Sequence, residues 1–185
     1  MIQATVTKVQ AIARDVLLIE LQGPNAQPLP GAAPGAHIDL HLPTGHVRQY
    51  SLTNAESHPT QASYQIAVAR DAASRGGSSW IHDKLRIGSV LPISEPRNLF
   101  ALDIKAHHKV LFIGAGIGIT PIYAMVRAAQ QAGMDWTLIA CARSGSRMTF
   151  QEDLAALDAQ RVRFHFDQEQ GGPLALSKLL ASAQW

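Results

Sequence analysis

Three short stretches of this chain carry residue types that could do chemistry together. Arg48-Gln49-Tyr50-Ser51-Leu52 offers a cation, an aromatic plane and a hydroxyl in close succession. A guanidinium suits phosphate, a phenol ring suits a flat ring system, and a hydroxyl suits a ring heteroatom. Strand alternation puts Arg48, Tyr50 and Leu52 on one face and Gln49 and Ser51 on the other, subject to barrel curvature and bulges. Taken alone, the stretch also reads as an ordinary exposed strand. Arg75-Gly76-Gly77-Ser78-Ser79 leads into a helix-like run from Trp80 to Leu85. Glycines, hydroxyls and a helix N-terminus make an anion cradle with Arg75 beside it; a capped helix after a loop has the same composition. Gly114-Ala115-Gly116-Ile117-Gly118-Ile119-Thr120-Pro121 lies between an expected strand and an expected helix. A dinucleotide-binding turn belongs at that place. Its glycines let backbone amides approach a bulky anion or ring, with Thr120 placed as N-cap and Pro121 as the first helical residue. A tight structural turn in a parallel sheet is the other reading.

The elements that must position these stretches change character near residue 105. Before it, period-2 segments at residues 4–12, 16–21, 37–42, 48–53, 64–69 and 90–93 alternate with Gly/Pro turns. Many short strands with little helix predict an antiparallel barrel or sandwich, interrupted by one short helix at 79–85. After it, strands at 109–113, 136–140 and 162–166 alternate with helices at 121–132, 149–157 and 174–183. Ile122, Met125, Val126 and Ala129 share one side of the first of these helices. Alternating strand and helix units imply a parallel sheet with crossover helices. The expected domains are therefore residues 1–103 and 104–185.

Composition removes several function classes. Apolar residues are 46% of the chain and charged residues 16%, which suits a packed core rather than a disordered tail. The net charge of +2 comes with no basic block, so neither nucleic acid nor an anionic membrane surface is indicated. Cys141 is the only cysteine, which excludes an intramolecular disulfide and any four-cysteine iron–sulfur cluster held by this chain. The apolar stretch at 110–126 is broken by three glycines and Pro121 and is too short for a membrane span. With no signal-peptide core at the start, a cytoplasmic location is expected. His37, Asp39 and His41 imitate a two-histidine, one-carboxylate metal site. Ala36, Ile38, Leu40 and Leu42 on the other face make this an amphipathic strand instead, and no metal site is assigned. His107-His108 reads as a polar linker pair, and Cys141 as a packed rather than catalytic thiol.

The order of the three stretches is more specific than any one of them. Together with Pro34-Gly35-Ala36-His37-Ile38, Pro96-Arg97-Asn98-Leu99-Phe100 and Cys141-Ala142-Arg143-Ser144, it resembles the ferredoxin–NADP reductase superfamily. The chain is most similar there to the phthalate dioxygenase reductase family, which includes vanillate O-demethylase reductase subunits. The resemblance implies an N-terminal antiparallel Greek-key flavin-binding barrel followed by a partial Rossmann-like parallel α/β domain for NAD(P)H. It implies that Arg48 contacts the flavin phosphate, Tyr50 the isoalloxazine and Ser51 its N5/O4 edge, with Gln49 beside them. Arg75, Gly76, Gly77, Ser78 and Ser79 would hold the phosphate. Gly114, Gly116, Gly118, Thr120 and Pro121 would shape the nicotinamide site, with Arg143 and Ser144 facing the adenosine. Tyr50, Ser51 and Thr120 are the residues placed nearest the reacting rings. The implied cofactor is FMN rather than FAD, with NADH or NADPH as donor.

The same resemblance implies an NAD(P)H:acceptor oxidoreductase that passes electrons toward the iron–sulfur acceptor of a Rieske-type oxygenase. Family members continue with further strands and a C-terminal [2Fe-2S] ferredoxin domain, which this sequence does not contain. The expectation is therefore an incomplete reductase, served by a ferredoxin-like domain or protein. A stand-alone flavin reductase or diaphorase, or a non-catalytic flavin-binding or partner-docking fragment, are the alternatives.

Overall fold

The computed structural model describes residues 1–73, 76–103 and 109–182. Its first half is built on a long hairpin. β1 (Ile2–Ala13) and β2 (Val16–Gln22) pair antiparallel, with Ala13 opposite Val16 across a two-residue turn. Asp15 takes the left-handed conformation there, at φ 63°. β3 (Leu29–Pro30) pairs only with β6 (Thr60–Gln61). β4 (His37–His41), β5 (Val47–Ser51), β7 (Ser63–Ala69) and β8 (Val90–Ile93) complete one antiparallel sheet in the order β5-β4-β8-β1-β2-β7. A bridge between Leu52 and Ile66 joins the two ends, so the sheet closes on itself. Closure removes the exposed edges that an open sheet would present.

Alternation fills the barrel. Ile19, Leu21, Ile38, Leu40, Leu52, Tyr64, Ile66 and Val68 all point inward and are buried. The Tyr64 hydroxyl donates to the Pro30 carbonyl, which satisfies its one polar atom inside that core. α1 (Gly77–Lys84) plugs the barrel with Ile81, and Leu85 follows it into the same core. The two-residue strands β3 and β6 have no counterpart among the expected elements, because a period of two cannot be read from two residues.

The second half is a three-stranded parallel sheet in the order β11-β10-β9. β9 (Lys109–Ala115), α2 (Ile119–Gln131), β10 (Asp135–Ala142), α3 (Gln151–Leu157), β11 (Val162–Phe166) and α4 (Leu176–Ser182) follow one another as strand–helix units. Ile122, Met125, Val126 and Ala129 form the buried side of α2, as the helical spacing predicts. β9 pairs with β10 alone among the described residues. The expected domain boundary adjoins residues 104–108, which lie outside the described residues, as do His107 and His108.

One local expectation is corrected. Thr120 is not an N-cap, and Pro121 does not begin a helix. α2 starts at Ile119, and its N-cap is Gly118 with no side-chain capping bond. Gly116 reverses the chain at φ +53°, and a short 3-10 turn over Gly116–Gly118 runs straight into the helix. The Thr120 hydroxyl instead donates back to the Ile117 carbonyl at 3.0 Å. Pro121 sits in the first turn, where its missing N–H costs no helical bond.

The two halves share a core. Val16, Leu18 and Ala67 on the outside of the barrel pack with Phe112, Ile119, Ile122 and Met125 of the parallel unit. At the surface, Arg147 meets Asp15 at 3.1 Å and Arg127 meets Glu56 at 3.3 Å. No helix among the described residues is long and apolar enough to cross a membrane.

Candidate flavin and nicotinamide site

The barrel is closed at Leu52 but splayed on the N-terminal side of that bridge, where β5 and β7 diverge. A cleft of about 480 Å³ opens there, at the junction with the parallel unit. Arg48, Gln49, Tyr50 and Ser51 form one wall, Ala67 and Ala69 of β7 another, and Ser78 of α1 closes one end. Ile117 and Thr120 reach it from the second half. Residues from all three sequence stretches therefore meet around a single space.

The Arg48 guanidinium lies against the start of α1. A Cβ at Gly77 would fall 2.7 Å from Arg48 Nε, so glycine is what admits the side chain. Arg48 Nη1 donates to the Val47 carbonyl at 2.9 Å, and no carboxylate among the described residues pairs with it. Gly76 caps α1 at φ +102°, a conformation that favours glycine, and no side chain caps the helix. Arg48 and Ser78 thus line one end of the cleft, with the start of α1 beside them. That donor set fits a phosphate. Ser78 Oγ also accepts the Asp71 amide at 3.1 Å, and Asp71 Oδ1 accepts the Ala73 amide at 2.9 Å, which shapes the loop lining that end.

Tyr50 is half-buried against the barrel core. Burial pushes its phenol up to about 12, with the Arg48 charge opposing the shift. It is therefore a neutral ring plane at physiological pH and supplies no acid–base group. Across the cleft, the alanines at 67 and 69 leave room for a flat ring. Alternation along β7 sets them opposite the inward Ile66 and Val68, and they were not singled out from the sequence. Nor were Asp71, Ala73 and Ile117.

The glycines of the second half divide in two. A Cβ at Gly114 would lie 2.6 Å from Ile119 Cδ1, so Gly114 serves strand-to-helix packing. A Cβ at Gly118 meets no protein atom within 4 Å, and its φ is −63°. Neither backbone nor packing demands glycine at 118, which borders open space. Gly114, Gly116, Gly118 and Pro121 do not themselves line the cleft, and nor do Gly76, Gly77 and Ser79; the cleft touches their neighbours. Arg75 lies outside the described residues. Arg143 and Ser144 leave the end of β10, and the register of Cys141 with Ala115 puts them at the same sheet edge as the Gly116–Gly118 turn. Arg143 is exposed and makes no ion pair among the described residues, while the Ser144 and Ser146 hydroxyls lie 3.2 Å apart. In the His37–His41 strand, Arg97 holds Asp39 at 2.7 Å and keeps its carboxyl below the usual carboxylate range.

A closed antiparallel barrel joined to a parallel α/β unit, with a cleft at the junction, is the ferredoxin reductase-like fold. Over 98% of this chain it superposes on phthalate dioxygenase reductase with a TM-score of 0.88, at 30% identity and over 57% of that protein. Residues 112–172 match the oxidoreductase NAD-binding domain family. The whole chain is 50% identical to 58% of the reductase subunit of the toluene-4-sulfonate monooxygenase system of Comamonas testosteroni. It is likewise 44% identical to 57% of a vanillate O-demethylase oxidoreductase of Pseudomonas putida. The chain thus spans somewhat over half the length of these relatives, and is homologous to oxygenase-system reductase subunits along the part it shares with them.

Proposed function

We propose that this chain is the flavin- and nicotinamide-binding part of an NAD(P)H-dependent reductase serving an oxygenase system. The observation that carries the reading is the convergence of Arg48, Tyr50 and Ser51 with Ser78 and Thr120 on one cleft. A flavin bound there would accept a hydride from NAD(P)H and release its electrons singly to an iron–sulfur acceptor. Arg48, Ser78 and the α1 amides hold the phosphate, and Tyr50 supplies the plane against which the ring rests. Ser51 presents a hydroxyl to the ring edge. Ile117 and Thr120 face that ring from the second half, where the opening beside Gly118 admits the nicotinamide. Arg143 and Ser144 at the sheet edge receive the adenosine end. These groups bind and orient, and none needs to act as nucleophile or general base.

FMN is the proposed flavin, since a single phosphate matches the cationic end that Arg48 makes at the cleft. Residues 1–103 would carry it, and residues 104–185 the nicotinamide. The proposed acceptors are a ferredoxin-like domain or protein and, through it, a Rieske-type oxygenase component; the relatives' names support an oxygenase system as the destination. Consumption of NAD(P)H fits a cytoplasmic reaction. The test is an absorbance spectrum of the purified chain with FMN, before and after anaerobic addition of NADH. Flavin bands that bleach with NADH support the reading; a chain that leaves FMN free overturns it.

A further inference from the structure

The β4–β5 ladder sets His37 directly opposite Ser51. Ile38 and Leu40 of β4 are fully buried inside the barrel, so His37 and Asp39 stand on its outer face, with Ser51 and Gln49 across from them. His37 is clamped from its other side too. Its amide donates to the Arg97 carbonyl at 2.9 Å, and the Arg97 amide donates back at 3.0 Å. Yet His37 Nε2 is buried and has no hydrogen-bond partner among the described residues. Nor does the Ser51 hydroxyl bond to another described residue, although Ser51 lines the cleft. A buried imidazole nitrogen and a cleft-lining hydroxyl therefore sit on directly paired residues, whose Cβ atoms in such ladders are about 4.5–5.5 Å apart. A buried imidazole nitrogen left unpaired is costly enough to require an explanation.

We propose that His37 is a positioning residue for Ser51. In the flavin-bound chain it hydrogen-bonds the Ser51 hydroxyl through one bridging water, and so sets how that hydroxyl faces the flavin edge in the cleft. The charged groups around His37 are Asp39, two residues along the same face, and Arg97, which is already paired with Asp39 at 2.7 Å. Arg97 takes Asp39 Oδ2, and Asp39 Oδ1 is buried without a partner among the described residues; the Ser51 hydroxyl is the group on the residue paired directly with His37 that also lines the cleft. The inference rests on the flavin reading above, and explains why a histidine occupies an otherwise unexceptional outer strand position.

The test uses the full chain loaded with FMN and reads the visible absorbance bands and midpoint potential of the bound flavin, along with FMN affinity. Ser51→Ala should shift bands and potential. His37→Leu should shift them in the same direction, with FMN affinity close to the parent's, and slow hydride uptake roughly three- to tenfold, the effect of one hydrogen bond. The double variant should be no worse than Ser51→Ala, because the two groups act as a unit. His37→Gln should restore the parent spectrum. If His37→Leu does not fold, His37→Asn, too short to reach across, should show the same shift. Parent-like spectra for the folded His37 variants beside a shifted Ser51→Ala would overturn the proposal alone, as would additive effects. A parent chain that binds no FMN would overturn the flavin reading and this inference with it.

Discussion

At the scale of single residues, the site works by leaving groups unpaired. Arg48 has no carboxylate partner among the described residues and is steered toward α1 by the space at Gly77. Arg48→Ala should weaken FMN by about 1.5–3 kcal/mol, the worth of a charge-assisted hydrogen bond. Equal affinities for variant and parent in a fluorescence titration would remove Arg48 from the site. Gly118 makes the complementary case. A side chain there meets only open space, so Gly118→Val should fold and bind flavin normally while slowing reduction by NADH many-fold. Stopped-flow rates matching the parent's would show that nicotinamide does not enter there. Tyr50 yields a pH prediction. Its phenol is raised from 10.0 to about 12 by burial, so the unfolded chain ionises first as pH rises. Stability linked to Tyr50 is thus intact below pH ~10 and declines up to the folded value. Tyr50→Phe should flatten that part of the alkaline stability profile, measured by denaturant unfolding, and leave the neutral range unchanged.

At the scale of elements, the glycine-rich turn does two jobs that sequence spacing alone does not separate. Gly114 lets Ile119 pack against β9, and Gly116 reverses the chain at φ +53°. Gly118 borders open space. Gly114→Val should therefore cost stability, by about 1–3 kcal/mol as an overpacked contact, in a thermal melt without nucleotide. Gly118→Val should not. If both variants melted alike, the division of roles within the turn would be wrong. α1 shows the same economy. Its apolar Ile81 anchors it in the barrel while Ser78 in its first turn lines the cleft. Arg70 forks onto Asp83 at 2.7 and 3.1 Å, which ties the helix to the end of β7.

At the scale of the whole molecule, the cleft exists because the two halves pack as one body. Ile122 and Met125 of α2 meet Leu18 and Ala67 of the barrel in a shared apolar core, with the Arg147–Asp15 pair at its surface. Both members of that pair are more than a third exposed, so screening leaves it under about 1 kcal/mol. Arg147→Ala should change stability little, whereas Ile122→Ala should cost about 2–5 kcal/mol through the cavity it leaves. Both variants should retain a single unfolding transition by calorimetry. Two separated transitions in the parent would mean that the shared core does not couple the halves.

The local elements were legible in the sequence because their periods are properties of the chain itself. Alternation marked β1, β2, β4, β5, β7 and β8, and the spacing of Ile122, Met125, Val126 and Ala129 marked the buried side of α2. The order of the arginine, glycine and hydroxyl motifs was enough to expect one flavin and nicotinamide site. Other features depend on contacts between residues distant in the chain. Only the folded barrel sets Ala67, Ala69 and Asp71 beside Tyr50, and only it pairs His37 with Ser51. The start of α2 moved two residues from its expected place because Gly116 turns the chain early, and a backbone angle is not written in residue types. Residue types determined which chemistry was available; strand register and the packing of the two halves decided which of those groups share a cleft.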